Sequence, residues 1–324
     1  MVCRICGNSK NNQPYTAKEF IYGSNESFEY IECNECGCLQ ILEVPCDMGK
    51  FYPSDYFSFV YPEKKGRFEL DIFLTELVNA SIINYYTKKG GILSKLLCML
   101  YPELMPPIQP GEDVFNKSIL DVGCGNGKLL KKLANAGFTK CYGVDPFINE
   151  EAGHGHQNNV TIFKSEIFEI SDTYDVIMLN HSFEHMDNQE NILLHIRRIL
   201  NDDGTCIIRI PTVSSDAWDK YKEHWIALDA PRHLYLHSIK SIRYLCDKCG
   251  FKIDKIVYDS IDAHFLSKML KKGVKQDSVI EYMLFRKFSP SMLIPFAYDK
   301  LMAKWLNFRK RGYYIAVHIS KVML

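Results

Sequence analysis

The chain has 324 residues, with 39 basic and 39 acidic side chains and 47% hydrophobic residues. That length allows about two domains and that apolar share fills a sizeable core, while the balanced charge excludes a general attraction to nucleic acid or other polyanions. No uninterrupted apolar run approaches the ~18 residues of a membrane span, and the 12 cysteines, with no signal-peptide pattern, point to a reducing compartment and a cytoplasmic protein.

In chain order, Cys3-Arg-Ile-Cys6-Gly7 and Cys33-Asn-Glu-Cys36-Gly37 are matching C-x-x-C-G knuckles. This spacing lets four thiolates converge tetrahedrally on one zinc ion, and the glycine after each pair suits the tight turn. Phe28 to Glu32 alternates and reads as a strand feeding the second knuckle. Residues 1–46 are therefore expected to be a zinc-ribbon-like module, its metal ligands being Cys3, Cys6, Cys33 and Cys36. The zinc is structural on two grounds. About 45 residues cannot bury enough apolar surface to fold unaided, and four thiolates leave no open position for chemistry. Cys246-Asp-Lys-Cys249 repeats the spacing without a second pair and is read as packing at the end of a helix, Ser238 to Lys248, stopped by Gly250.

Residues 47–110 read as an aromatic linker followed by a helical lid. Leu70, Phe73, Leu74, Leu77, Val78, Ile82 and Tyr85 recur at helical spacing. Gly90 and Gly91 break that helix, a second one restarts at Ile92, and Pro102, Pro106, Pro107 and Pro110 mark a boundary.

Ser118-Ile-Leu-Asp-Val-Gly-Cys-Gly-Asn-Gly-Lys128 joins an apolar strand to a glycine-rich turn and a helix start. Glycines 123, 125 and 127 permit positive φ and let a ligand approach the backbone. A dinucleotide fingerprint needs a third glycine where Lys128 stands, which weakens that reading. Asp121 and Asp145 close two neighbouring strands, and ligands of open α/β sheets bind outside such carboxyl ends. Tyr174 to Asn180, helix Asn191 to Leu200, turn Asn201 to Gly204 and strand Thr205 to Ile210 follow, with a last strand at Tyr313 to Ile319. Asp175 reads as a turn residue ahead of its strand.

This succession, with Ile119-Leu-Asp-Val-Gly-Cys-Gly-Asn-Gly127 as its first motif, resembles the class I S-adenosylmethionine-dependent methyltransferases. The resemblance implies an α/β fold, a Rossmann-like seven-stranded mostly parallel sheet with helices on both faces, plus the N-terminal zinc module and helical insertions. It implies a core over 111–258, with a helical insertion and the last strand over 259–324. It also implies a cofactor site of Asp121, Gly123, Gly125, Asp145, Glu166 and Asn180. Asp121 would lie near the methionine amine, Asp145 would hold the ribose hydroxyls and Glu166 would meet the adenine.

Methyl transfer from a sulfonium usually needs a base for the acceptor, and histidine titrates near neutrality. His181 and His185 after the fourth strand and His233 after the fifth are the candidates, with His233 foremost; His237 reads as a cap for the next helix. The order of zinc knuckles and then methyltransferase resembles bacterial polysaccharide and deoxysugar methyltransferases. There a histidine after the fifth strand serves as the base, often behind a Glu; here Arg232 precedes His233. Arg232 is read as a clamp for a substrate phosphate or as a surface ion pair. The expected acceptor is a small molecule, a sugar nucleotide or glycan intermediate methylated on O or C. Residues 296–311 mix apolar and basic side chains and suit a membrane surface or packing on their own domain. Two other readings stand beside this one: a non-catalytic adaptor that uses its ribbon for protein or nucleic-acid contacts, and an NAD-dependent oxidoreductase.

Overall fold

In this computed structural model the described residues are 1–52, 85, 91–92, 113–148, 159–260, 263–272 and 293–322. The strands are β1 (Gln13–Lys18), β2 (Ser27–Glu32), β3 (Leu39–Ile41), β4 (Ser118–Val122), β5 (Lys140–Val144), β6 (Val160–Phe163), β7 (Tyr174–Asn180), β8 (Leu200–Pro211), β9 (Tyr235–Leu236), β10 (Phe251–Tyr258) and β11 (Tyr314–Lys321). The helices are α1 (Lys128–Asn135), α2 (Gln189–Ile199), α3 (Asp216–Tyr221), α4 (Ile239–Lys248), α5 (Ala263–Lys271) and α6 (Leu293–Phe308). Apart from Tyr85, Gly91 and Ile92, the expected lid helix, its restart and the proline boundary fall outside the described residues.

The larger sheet runs β10-β11-β8-β7-β4-β5-β6. Ile119, Leu120 and Val122 are buried because β4 has parallel partners on both sides, β5 and β7. Such strands read as continuous apolar runs rather than alternating ones. β5 and β6 are parallel, and β11 runs antiparallel to β10. The strand order reverses direction at β4, which makes its carboxyl end a switch point where α/β sheets take ligands. The fold is the Rossmann-like one expected. Among the described residues no helix is long and apolar enough to cross a membrane.

Two compact units divide the chain: Ser58–Asn180 with Arg198–Ile207, and Met1–Phe57 with His181–Arg197 and Ile208–Leu324. These divisions differ from the sequence boundaries at 46, 110 and 258.

In the first unit Asp175 does more than end a turn. Its carboxylate accepts from Ser118 N (2.8 Å), Ser118 Oγ (2.9 Å) and Asn201 Nδ2 (2.8 Å). The donors hold it below the usual carboxylate range despite some burial. Where the sequence suggests a turn at 201–204, β8 already begins at Leu200, and Asn201 is tied to Asp175.

In the second unit the cysteine module does not close on itself. β1 and β2 form an antiparallel hairpin that β3 extends, and β9 pairs with β3 through Leu39 with Leu236 and Gln40 with Tyr235. Tyr30, wholly buried, donates from its hydroxyl to His233 O (2.9 Å). The N-cap of α4 is Ser238, whose Oγ accepts from Ser241 N; His237 instead contacts Ser241 Oγ (2.9 Å) and Gln189 Oε1 (2.8 Å), so it is not the expected cap. α6 buries Ala303 and Leu306 and exposes Tyr298, Leu301, Trp305 and Phe308.

Arg232 corrects both sequence readings of it. The guanidinium is 0% exposed and bonds Asp229 Oδ1 through Nε (2.9 Å) and Nη2 (2.5 Å), Glu19 Oε1 through Nη2 (2.8 Å) and Phe51 O through Nη1 (3.1 Å). It is neither a surface ion pair nor free to clamp a phosphate. Glu19 is itself enclosed and accepts the backbone N–H groups of Ile21, Tyr22 and Ser24. Removing one partner of a buried ion pair costs about 3–5 kcal/mol because the other charge is stranded. Arg232→Leu should therefore lower the melting temperature of the chain by roughly 6–20 °C; a calorimetric scan with a shift inside about 2 °C would show that the network carries little stability.

Candidate functional site

In the first unit, the turn after β4 is built on backbone hydrogen bonds to the end of β5. Gly123 N and Cys124 N donate to Val144 O (2.8 and 3.3 Å), and Gly127 N donates to Cys124 O (3.0 Å). Gly123, Gly125 and Gly127 have φ of 74°, 52° and 71°, values that favour glycine. A Cβ on Gly127 would lie 2.3 Å from Ile162 Cδ1, so the turn and the helix start must stay bare.

Asp145 fastens this turn: Oδ2 accepts from Gly125 N and Oδ1 from Phe147 N, both at 2.9 Å. Each oxygen keeps a second lone pair for a ligand hydroxyl. Asp121 is different. It is 3% exposed, and its Oδ1 is buried without a hydrogen-bond partner. Burial, and then the charge of Asp145, push its carboxyl up to about 8. An uncompensated buried acid beside a glycine cradle suits a ligand that brings a cationic amine and hydroxyls, which are the groups S-adenosylmethionine offers. Cys124 lies in the same field, its thiol pushed up by burial and then by Asp121 and Asp145.

The other two expected cofactor residues follow the strands beside this pair: Met178, two residues before Asn180, pairs with Asp121, and Phe163, three residues before Glu166, accepts from Asp145 N (3.1 Å). Glu166 is exposed and begins a 3₁₀ turn over Ile167–Glu169, its N–H donating to Glu169 Oε1 (3.5 Å). Asn180 ends β7 half-buried.

The three candidate histidines belong to the second unit and gather around Glu184, a residue the sequence reading missed. Glu184 is 1% exposed, and neither carboxylate oxygen accepts a hydrogen bond; His181 Nδ1 lies 3.4 Å and His233 Nε2 4.0 Å from Oε1. Burial opposes its charge, but the surrounding imidazoles outweigh burial and hold it at about 2. His233 Nδ1 lies 2.7 Å from Ala227 O, and His185 Nδ1 lies 2.9 Å from Arg232 O and 3.2 Å from Tyr52 Oη. A carbonyl oxygen only accepts, so each Nδ1 carries a proton and each Nε2 is the nitrogen left for another partner. The rings stand edge to face, centroids 4.6 Å apart. Burial, and then His233, lower His185 to about 4. His181 has φ 56° and donates its backbone N–H to Arg209 O (2.9 Å). Its ring packs edge-on against Tyr314, with centroids 4.8 Å apart. A carboxylate at i+3 from His181 and next to His185 was the signal that could have found Glu184 in the sequence.

The four knuckle cysteines converge. Cys3 and Cys36 sulfurs are 3.6 Å apart, Cys6 and Cys33 sulfurs 3.5 Å, and all four lie within 4.8 Å of one another. A tetrahedral zinc with Zn–S near 2.3 Å spaces its sulfurs about 3.8 Å apart, so the donor set fits the ion. The knuckles are matched: Gly7 N donates to Cys3 O (2.9 Å) and Gly37 N to Cys33 O (2.8 Å), with φ of 78° and 71°.

A family model described as "Methyltransferase domain" matches residues 92–256, just over half of the 324 residues, and the chain belongs to that family. Among curated relatives, (S)-coclaurine N-methyltransferase of Thalictrum flavum subsp. glaucum is 32% identical over 100 residues, 28% of each chain. tRNA U34 carboxymethyltransferase of Photobacterium profundum is 23% identical over 176 residues, 50% of this chain and 52% of that one. Ubiquinone biosynthesis O-methyltransferase of Rickettsia bellii is 29% identical over 102 residues, 30% of this chain and 42% of that one. The chain thus spans from about a quarter to about half the length of these relatives. Among solved structures, a possible histamine N-methyltransferase of Thermotoga maritima is 16% identical with TM-score 0.42, over 78% of this chain and 97% of that one.

The cradle and the knuckles each carry a test. Asp121 has its folded-state value raised above the unfolded value near 3.9, so its contribution destabilises the ligand-free protein progressively from pH ~4 to ~8. An ammonium ligand reverses this by drawing the proton off. Calorimetry of S-adenosylhomocysteine at pH 7 in buffers of different ionisation enthalpy should show about one proton released, and close to none for Asp121→Asn; equal release by both proteins would remove Asp121 from the amine site. Cys33→Ser should lose about one equivalent of zinc and lower the thermal stability of the chain, and an unchanged metal content would exclude the four-thiolate site.

Proposed function

We propose that this chain transfers the methyl group of S-adenosylmethionine to an oxygen or carbon of a small acceptor, a sugar nucleotide or glycan intermediate. The observation that carries the reading is the pair Asp121 and Asp145 over the glycine turn: one buried oxygen without a partner for an ammonium, and one fixed carboxylate for hydroxyls. When bound, the cofactor supplies an electrophilic methyl on a sulfonium. Asp121 and Asp145 hold and orient it, and the backbone at Gly123 and Gly125 gives it room.

On the acceptor side, His233 is the base. Ala227 O holds its Nδ1 proton, which leaves Nε2 to take the proton that the acceptor gives up. Its backbone is fixed by Tyr30 from the cysteine module. The acceptor class rests on the order of zinc knuckles followed by this domain. The O-methyltransferases among the curated relatives support an oxygen nucleophile. We place the zinc in the four-thiolate site and the protein in the cytoplasm. The adaptor reading differs from this one in a single measurable property, turnover.

The test is a screen of nucleotide sugars with methyl-labelled cofactor. Loss of a general base costs roughly 10²–10⁴ in rate, so His233→Ala should lower turnover by that factor with S-adenosylhomocysteine affinity nearly unchanged. Turnover within about threefold of wild type would move the role to His181 or His185, and binding of NAD without S-adenosylhomocysteine would overturn the whole reading.

A further inference from the structure

The buried charges near Arg232 are unequally compensated. Arg232 is one enclosed cation, and Glu19, Asp229 and Glu184 are three enclosed carboxylates, with side-chain exposures of 1%, 7% and 1%. Two of them are compensated. Glu19 accepts three backbone N–H groups and Arg232, and Asp229 Oδ1 is held by Arg232 twice. Glu184 has neither kind of partner, since both of its oxygens are buried without a hydrogen bond. Its near neighbours are imidazoles, His181 Nδ1 at 3.4 Å and His233 Nε2 at 4.0 Å from Oε1, and a buried carboxylate held in this way is a place where a protein can keep a metal.

Its neighbours have the form of ligands. The ligating atoms of Glu184, His185 and His233 lie within 4.8 Å of one another. Both imidazoles are fixed by Nδ1 on main-chain carbonyls, of Arg232 and of Ala227. That outer contact is what sets the tautomer and ring orientation of metal-bound histidines. Asp229, with Oδ1 on Arg232, turns Oδ2 to 3.9 Å from His233 Nε2. Oxygen and nitrogen ligands at about 2.1 Å from a tetrahedral cation are about 3.4 Å apart. The 4.0 Å between His233 Nε2 and Glu184 Oε1 need close by only about half an ångström, a side-chain adjustment.

We propose that Glu184, His185 and His233 form a second metal site that takes a divalent cation of the zinc type. Two imidazoles and a carboxylate suit such borderline ions. The site is separate from the four-thiolate one and does not depend on the methyl-transfer reading. Its consequence for turnover rests on that reading: a cation on His233 Nε2 occupies the lone pair that the acceptor's proton needs. Zinc and proton transfer therefore exclude one another.

The experiment is a titration of chelator-stripped full-length protein with zinc chloride, repeated with cobalt chloride, because thiolate-to-cobalt charge transfer marks the cysteine site alone. The expected result is about two equivalents for the wild-type chain and about one for Glu184→Gln and for His185→Gln, with the thiolate band intact in all three as the sign that the module is folded. Saturation of the wild type at about one equivalent, all of it seen in the thiolate band, would overturn the site, as would two equivalents in both variants. Methyl transfer measured beside the titration should fall about tenfold or more as the second equivalent binds. A rise in turnover at that point would keep the metal site and overturn His233 as the base.

Discussion

The second unit depends on the neutralisation of one buried guanidinium. Arg232 directly follows Pro231 and immediately precedes His233, and it cannot enter the interior without anions. Asp229 supplies one from three residues away, Glu19 the other from 213 residues away, and Phe51 O takes the remaining donor. The loop that carries His233 therefore has its geometry set by the N-terminal segment. Tyr30 on β2 and the β3–β9 pairing fix the same loop on its backbone side.

The cysteine module consequently serves as a wall of this loop. Ser238 Oγ donates to Cys36 O, and a Cβ on Gly37 would lie 3.2 Å from the Ser238 side chain, so the second knuckle and the start of α4 fit closely. Metal-free thiolates repel and loosen such a knuckle, and the loosening falls on the segment that β9 and α4 share with it. A zinc ion held by these thiolates would act on His233 through that segment without touching it.

Much of the sheet could be read from the sequence, because a parallel strand buried on both faces advertises itself as an apolar run: Ile119 to Val122 and Val176 to Leu179 are such runs. The glycine turn and the cysteine knuckles were equally legible, since positive φ and thiolate spacing are local properties. What escaped was non-local. β3 and β9 are strands of three and two residues whose pairing partners, not their own patterns, make them strands. Arg232 looked exposed because no sequence window contains Glu19, and His237 looked like a cap because Gln189 is 48 residues away. Glu184 passed unnoticed because a Glu beside two histidines on a loop is ordinarily solvated; only burial gives it meaning.

Two buried acids show how environment assigns chemistry to identical groups. Asp121 faces another carboxylate and no donor, so its carboxyl is raised to about 8 and holds its proton near neutrality. Glu184 is as deeply enclosed, yet His181, His185 and His233 keep it ionised. Among the described residues, Asp121 Oδ1 and both Glu184 oxygens have no hydrogen-bond partner, and both groups gain most from a ligand that brings positive charge. The ligands differ in kind. Beside Asp121 the neighbours are backbone amides and glycines, which leave space for an organic ammonium and its attached hydroxyls. Around Glu184 they are imidazole nitrogens, which suit a proton or a metal ion. The first environment suits a ligand that brings an ammonium, and the second suits a proton or a metal ion, so the same acidic group is given different chemistry by the neighbours that surround it.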